Sequence, residues 1–338
     1  MDPFTQGALG AALPLSLSNR KKLASTALLG CLAGMAPDLD VFIRSPTDPI
    51  LFLEYHRQFT HSLIFIPLGA LICSFLAYPL SKKTMAFKSS YLICFLGYGT
   101  HALLDACTSY GTLLAWPFSD TRFSWNNVSV VDPIVTLPLI LMIILAIRTN
   151  RTLFAQIGMF WVFVYLSFGV YQNHRVEEFG LSIANSRGHY PKEVSAKPGF
   201  GNLVLWKIIY EWEGFYYVDG VRSTSRLISI EGDRVAKLDT NRDLPWLNPL
   251  SQQAEDLKRF NWFSQGYLAI DKNDTLLVID IRYSLLPNEV KAMWGIRFDP
   301  NAESDQHIEY VSERDVSQNR TDTLWDMLTG QYKGSEGN

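Results

Sequence analysis

Two uncharged apolar runs, residues 63–80 and 152–173, constrain this chain more than any other feature. About 20 residues at 1.5 Å rise cover the roughly 30 Å hydrocarbon core of a bilayer, so each run is long enough to cross one as a helix. Four further apolar segments share the first half of the chain: residues 4–17, 23–36, 89–104 and 133–147. A segment of about 15 residues reaches only about 22 Å, so the shorter ones must tilt, thin the bilayer or enter part way. The reading is four spans within six membrane-associated helices. Residues 174–338 carry mixed charge and many Trp and Tyr, with no spanning run. The expected fold is an α-helical polytopic membrane domain (residues 1–173), then a small soluble α+β domain, mostly antiparallel β (residues 174–330). Residues 331–338 read as a disordered tail.

Basic residues occupy alternate loops: Asn19-Arg20-Lys21-Lys22, then Lys82-Lys83 with Lys88, then Arg148 with Arg151. Positive charge marks cytoplasmic loops. The remaining loops, the N-terminus and residues 174–338 are therefore expected on the extracytoplasmic side, which is periplasmic for a bacterial inner membrane. Met1-Asp2-Pro3-Phe4 lacks the basic start of a signal peptide, so insertion falls to the apolar segments themselves. The net charge of −3 and the lack of any Lys/Arg run give no sign of a nucleic-acid partner. The four cysteines lie in the apolar half and form no Cys-x-x-Cys pair, which speaks against a disulfide framework or a Cys-based zinc ribbon.

The loops expected outside carry the ionisable motifs. These are Pro37-Asp38-Leu39-Asp40, His56-Arg57-Gln58-Phe59-Thr60-His61-Ser62, His101-Ala102-Leu103-Leu104-Asp105 and Val131-Asp132-Pro133. An ionisable group in hydrocarbon costs roughly 2.5–3.5 kcal/mol, so such residues at span ends imply a use. Imidazole with carboxylate is the ligand set of zinc or a similar divalent metal. His101 and Asp105, four apart, share one helix face; the alternative is a His–Asp hydrogen bond without metal. His56 and His61 are five apart, so one is a ligand while the other orients it or carries protons. Alternatively both are interfacial, with Thr60 or Ser62 capping the following helix. Asp38 and Asp40, two apart in extended chain, point to opposite sides: one meets metal, the other orients a His or Arg57. Their alternative is a pair of solvated acids ending a helix.

Asp132, held extended by Pro133, is a further acid or a helix-start residue. Arg57 is suited to grip a phosphate or carboxylate bidentately, or else snorkels at the headgroup level. His56, His61, His101 and Asp105 are thus read as ligands, and Asp38, Asp40, Arg57 and Asp132 as catalytic residues. The apolar half has no Gly-x-Ser-x-Gly elbow and no Gly-rich phosphate loop, which leaves metal-activated water as the simplest chemistry.

At these motifs, together with Met1-Asp2-Pro3-Phe4-Thr5, Ser109-Tyr110-Gly111-Thr112 and Pro117-Phe118-Ser119, the chain resembles the YdjM family of membrane-bound metal-dependent hydrolases. The resemblance covers roughly residues 1–175. It implies a multi-pass bacterial inner-membrane hydrolase holding a divalent metal, zinc first. The family is distantly similar to zinc-dependent phospholipase C and P1-type nucleases, which implies a phosphoester or lipid-related substrate met at the lipid bilayer. The chain departs from the family pattern at Gln6, where His often follows the opening Thr; a Gln carbonyl is a poorer zinc ligand. Two other classes stay open. One is a non-catalytic scaffold with a structural metal or a His–Asp network. The other is a transporter, against which stands the placing of the motifs at span ends.

In the second half, strands are expected at residues 203–212, 227–230, 266–270 and 276–283, with a turn at Lys272-Asn273-Asp274 and helices at 252–260 and 317–328. His174, His189 and His307 read as solvated or hydrogen-bonded rather than ligating. Trp206, Tyr210, Trp212, Phe215, Tyr216 and Tyr217 read as core.

Overall fold

The computed structural model describes residues 1–18, 22–312 and 315–332. Helices come first: α1 (Pro3–Ser16), α2 (Leu23–Met35), α3 (Leu51–Tyr55), α4 (Ile66–Ser81), α5 (Phe87–Ala106), α6 (Pro133–Thr149) and α7 (Thr152–Ser186). Then follow β1 (Val194–Pro198), β2 (Leu205–Trp212), β3 (Phe215–Ser223), β4 (Leu227–Ile230), β5 (Arg234–Ala236), α8 (Thr240–Asp243), α9 (Gln252–Phe263), β6 (Leu268–Ile270), β7 (Leu277–Asp280), β8 (Trp294–Arg297), β9 (Glu309–Ser312) and α10 (Gln318–Thr329). A helical region thus precedes an antiparallel, sheet-rich one. Among the described residues, Leu63–Ser81 and α7 are the helical stretches long and apolar enough to cross a membrane, and α6 is apolar but shorter.

The helix starts follow from local chemistry. Asp2 caps α1, its carboxylate accepting from Phe4 N at 3.1 Å and Thr5 N at 3.0 Å, with Pro3 filling a position that needs no N–H. Asp132 caps α6 in the same way through Ile134 N at 3.1 Å, with Pro133 next, and α6 stops where Asn150 turns left-handed at φ 54°. The expected helix over 152–173 runs on to Ser186. His174, Arg175, Glu177 and Glu178 end the apolar run but not the helix, because Val176, Gly180 and Ala184 continue a buried stripe at four-residue spacing.

The chain forms two compact units: Met1–Ile43, Tyr55–Tyr171 and Phe200–Asn202 in one, Arg44–Glu54, Gln172–Gly199 and Leu203–Asn338 in the other. In the first, α1, α2 and α5 meet backbone to backbone through glycines. At Gly34 of α2 an added Cβ would stand 2.7 Å from Gln6 O and 2.9 Å from Gly10 Cα on α1. Small residues permit this approach, and it brings the polar ends of three helices together. Ala11, Leu15, Leu23, Ala27, Ala146 and Ala155 fill the neighbouring core.

In the second unit, strands ordered β1-β2-β3-β4, with β5 also on β3, make one antiparallel sheet, and β6-β7-β8-β9 make another. Ile209, Tyr216, Val218, Ala269, Ile279 and Ile281 share one core between them. Glu213 and Gly214, both at positive φ (48° and 77°), close the β2–β3 hairpin in the two-residue form that suits strand twist. Arg259 on α9 ties the early segment into this unit, binding Asp48 Oδ2 at 2.7 Å, Asp256 Oδ1 at 2.9 Å and also Glu54. The expected strands and helices of this half are present with shifted ends, and the Lys272–Asp274 turn joins β6 to β7. Strands β1, β3, β5, β8 and β9 were not anticipated. Phe215, read as core, is exposed at the hairpin rim, while Trp206, Tyr210 and Tyr216 are buried. Residues 333–338 of the expected tail and Asn19, Arg20 and Lys21 of the first basic loop lie outside the described residues.

Candidate metal centre

The site lies in the helical unit and draws on three stretches. Asp38 and Asp40 sit in the 3₁₀ turn Ala36–Phe42 that continues α2. This corrects the extended geometry expected for them: at three residues per turn, positions two apart still diverge, by about 120°. His61 ends the short 3₁₀ turn Phe59–His61. His101 and Asp105 lie one turn apart on α5 and are fully buried.

Four side chains converge. His61 Nε2 lies 2.9 Å from His101 Nε2, 3.5 Å from Asp38 Oδ1 and 3.3 Å from Asp105 Oδ2. His101 Nε2 lies 3.3 Å from Asp38 Oδ1 and 3.6 Å from Asp105 Oδ2. Four donors held tetrahedrally at the 2.0–2.1 Å of zinc–nitrogen and zinc–oxygen bonds are separated by about 3.3–3.4 Å. The observed spacings bracket that value, so the residues fit a zinc-sized cation.

The hydrogen-bond partners fix the tautomers. His101 Nδ1 is 2.6 Å from Gly34 O, which only accepts, so Nδ1 carries the proton. His61 Nδ1 is 2.9 Å from Thr60 Oγ1 and 3.2 Å from Asp40 Oδ2; the Thr60 hydroxyl itself donates to Asp40 Oδ2 at 2.8 Å, so this Nδ1 also carries the proton. With both rings neutral, each Nε2 would turn a lone pair toward two carboxylate oxygens with no hydrogen between them. Such an arrangement calls for positive charge. Burial alone would lower His61, but contacts with Asp105, Asp38 and Asp40 outweigh it and hold its pKa up at about 10. Burial likewise opposes ionisation of Asp38, yet hydrogen bonds from His101 and His61 take it well below the usual carboxylate range. A proton on His61 supplies the missing charge in one way, and a divalent cation in another.

The surrounding residues orient this set. Asp40 accepts from His56 Nδ1 at 2.7 Å, Arg57 N at 3.0 Å and Thr60, besides facing His61. Burial lowers His56 despite that carboxylate, and its ring stands edge-on to Tyr110 at 5.5 Å. Asp38, Asp40 and His56 form a second grouping close enough to hold a cation, sharing Asp38 with the first. The side chains of Asp38 and His56 keep 19% and 18% exposure, so the site opens on their side.

Gln6 of α1 donates to Asp105 Oδ1 at 2.8 Å and to His101 O at 3.3 Å, and its own Oε1 is buried without a partner among the described residues. Gln6 thus reaches the centre and acts on Asp105. The Met1 amino group also meets Asp105 Oδ1.

Several expectations are corrected. Arg57 is buried and neither snorkels nor stands free for a phosphate. Its Nε is 3.0 Å from Asp105 Oδ2, its Nη1 donates to Thr108 Oγ1 at 2.9 Å, and the guanidinium lies 4.6 Å from the Tyr110 ring centre. It does so from a left-handed backbone, φ 63°, a conformation retained where the surroundings over-determine it. Asp132 is committed elsewhere: Oδ1 caps α6 and Oδ2 accepts from Tyr165 at 2.7 Å. Thr60 and Ser62 do not cap α4 with their side chains; Thr60 serves Asp40, and Ser62 donates to Phe59 O. In the sheet-rich unit His174 is exposed, His189 pairs with Tyr210, and His307 with Asp256. The role of Gly34 O behind His101 had no signal in the sequence beyond a glycine in an apolar helix.

A family model described as YdjM inner membrane protein matches residues 1–176. The chain belongs to that family. Inner membrane protein YbcI of Escherichia coli (strain K12) is 28% identical over 135 residues, which is 38% of this chain and 75% of that protein. No solved structure matches. The YdjM match contains every residue of the His/Asp cluster, and the two membrane-length helices accord with the family's description.

Proposed function

We propose that this YdjM-family protein is a multi-pass inner-membrane hydrolase that holds a divalent metal, zinc first, at Asp38, His61, His101 and Asp105. The proposed reaction is the hydrolysis of a phosphoester presented at the membrane surface. One observation carries the reading: two imidazole Nε2 atoms and two carboxylate oxygens converge at 2.9–3.6 Å. The metal supplies Lewis acidity and lowers the pKa of water toward 7. The chain's own groups do the rest. Asp40 holds His56 through Nδ1 at the open side, leaving Nε2 to take a proton from water and return it to the departing alcohol. Arg57 offsets the charge on Asp105, and Gln6 keeps that carboxylate turned inward. Asp132 is given the role of capping α6 and accepting from Tyr165, not a catalytic one. The alternating basic loops support an extracytoplasmic site and an extracytoplasmic second unit, with the bilayer as partner.

A second reading is a structural metal that ties α2, α5 and the Phe59–His61 turn together. Four protein donors close a tetrahedron, whereas catalytic zinc keeps a position open. The partial exposure of Asp38 favours catalysis, because that donor alone of the four lies on the open side.

The deciding measurement is metal content of the detergent-purified protein beside a His101→Ala, Asp105→Ala double variant, with phosphoester turnover in parallel. About one zinc per chain, lost together with turnover in the variant, supports the enzyme. Zinc bound without turnover of any phosphoester leaves the structural metal. No metal in the wild type defeats both.

A further inference from the structure

An apolar furrow of about 350 Å³ runs between α2, α4 and α5. It exists because α4 lies mainly against α5, α2 lies against α1 and α5, and α2 and α4 meet little. Its upper end is lined by Leu39 and Thr60. Leu39 stands between Asp38 and Asp40, and Thr60 precedes His61 and donates to Asp40. Tyr98 crosses the floor. Its hydroxyl donates to Thr60 O at 2.8 Å, and its ring lies where a side chain at position 69 would be, so Gly69 is what admits it.

From Gly69 to Leu80, also lining residues, α4 rises about 16 Å. Among the described residues, the lining of the deep end carries no charged side chain, so a ligand here has its polar part at the His/Asp end. A second apolar cleft of about 410 Å³, between α1, α2 and α6, includes no residue adjacent in sequence to Asp38, Asp40, His56, His61, His101 or Asp105.

We infer that the substrate is a lipid phosphoester whose hydrocarbon chain lies in the α2/α4/α5 furrow while its phosphate meets the His/Asp cluster. The inference rests on the hydrolase reading and names its substrate class. In the reaction, water oxygen bonds to phosphorus, the phosphorus–oxygen bond to the alcohol breaks, and the alcohol oxygen takes the proton that water gives up. The furrow selects the chain, and the cluster handles the phosphate.

The test uses the full-length protein in phosphatidylcholine vesicles doped with phosphatidic acid that carries a photoreactive diazirine at its chain end. Label is expected on α2 and α4 along the furrow. Cys73→Phe and Leu76→Trp, both in the furrow and the latter replacing a side chain that is 71% exposed, should each lower it. The expected loss is about tenfold, the equivalent of about two methylenes denied their apolar site. Ile144→Phe in the other cleft should leave the label unchanged.

In parallel, turnover of the long-chain phosphoester should fall about tenfold in both furrow variants while a short, water-soluble analogue is hydrolysed as before. Equal labelling of both clefts, indifferent to the substitutions, means annular bilayer lipid only and overturns the inference. So does an equal loss on long and short substrates in both variants. Furrow labelling that responds to the substitutions, with no turnover of either substrate, retains the lipid site and defeats the hydrolase reading alone.

Discussion

Gly34→Ala should damage the metal centre without touching a proposed ligand. The new Cβ would lie 2.7 Å from Gln6 O, where ordinary contact begins near 3.4 Å, so α1 and α2 must part by about 0.7 Å. Both backbones involved serve the site. Gly34 O accepts from His101 Nδ1, and Gln6 holds Asp105. Metal–ligand distances tolerate only about 0.2 Å, so much of the displacement must appear as poorer coordination. Disturbed outer partners of metal ligands typically cost about 10–100-fold in affinity. The overpacking itself should cost about 1–3 kcal/mol of stability.

The assay is zinc affinity of the detergent-purified protein, measured by competition with a chromophoric chelator and accompanied by thermal unfolding. Gly99→Ala is the control. It lies on α5 near His101, but its Cβ would meet only Ile66 Cγ2, at an ordinary 3.7 Å, and Ala is the better helix former by about 0.5–1 kcal/mol. Gly99→Ala should bind zinc as the wild type does and be slightly more stable. Wild-type affinity in Gly34→Ala would refute the link from helix crossing to ligand geometry. An equal loss in Gly99→Ala would show that any change in this bundle is felt at the site.

Asp40→Asn should weaken zinc binding about 10–100-fold while the fold persists, because one amide oxygen replaces two acceptors for His56, Thr60, Arg57 and His61; unchanged affinity would count against an orienting role. Arg259→Ala should destabilise the sheet-rich unit by about 3 kcal/mol and expose residues 44–54 to proteolysis, since Asp256 stays buried and Asp48 and Glu54 lose their partner; a wild-type digestion pattern would contradict this. Burial pushes Lys197 and Lys207 down to about 7 from 10.5, so between those values the unfolded chain holds more protons than the folded one and stability rises with pH. The unfolding midpoint of the sheet-rich unit in the full-length protein should therefore climb from pH 7 to 9, and Lys207→Met should flatten the climb; a wild-type profile that falls over this range would reverse the sign.

Hydropathy made the helices of the first unit legible, because in α4 and most of α7 no charge interrupts the apolar run. It failed at residue 174, where helix and apolar run end at different places: a charged face is compatible with a helix so long as Val176, Gly180 and Ala184 still have something to pack on. Strand β1 ends in Pro198 and lies at a sheet edge, where a missing N–H is tolerated, so its sequence looked like loop. At the site, residue type and the His101–Asp105 spacing identified the ligand candidates. Their grouping was beyond sequence. Asp38 and Asp40 diverge in extended chain and in the 3₁₀ turn alike, but which of them faces His101 was not legible, and the burial of Arg57 required Asp105 and Thr108 around it. Asp132 carried the same Asp-Pro signal that a helix cap carries, and it is a cap.

The segment Arg44–Glu54 belongs to the unit whose remaining parts begin at Gln172. Arg259 follows Glu54 by 205 residues and Asp48 by 211. At about 5–20 residues per second, a ribosome delivers this segment roughly 10–40 s before its arginine emerges. Asp48 and Glu54 wait in solvent for that interval, and the sheet-rich unit closes only after most of the chain has been made. A gene fragment begun at residue 172 omits this segment of the unit, and co-expression of residues 1–171 with 172–338 is the form in which two pieces would still contain all of it.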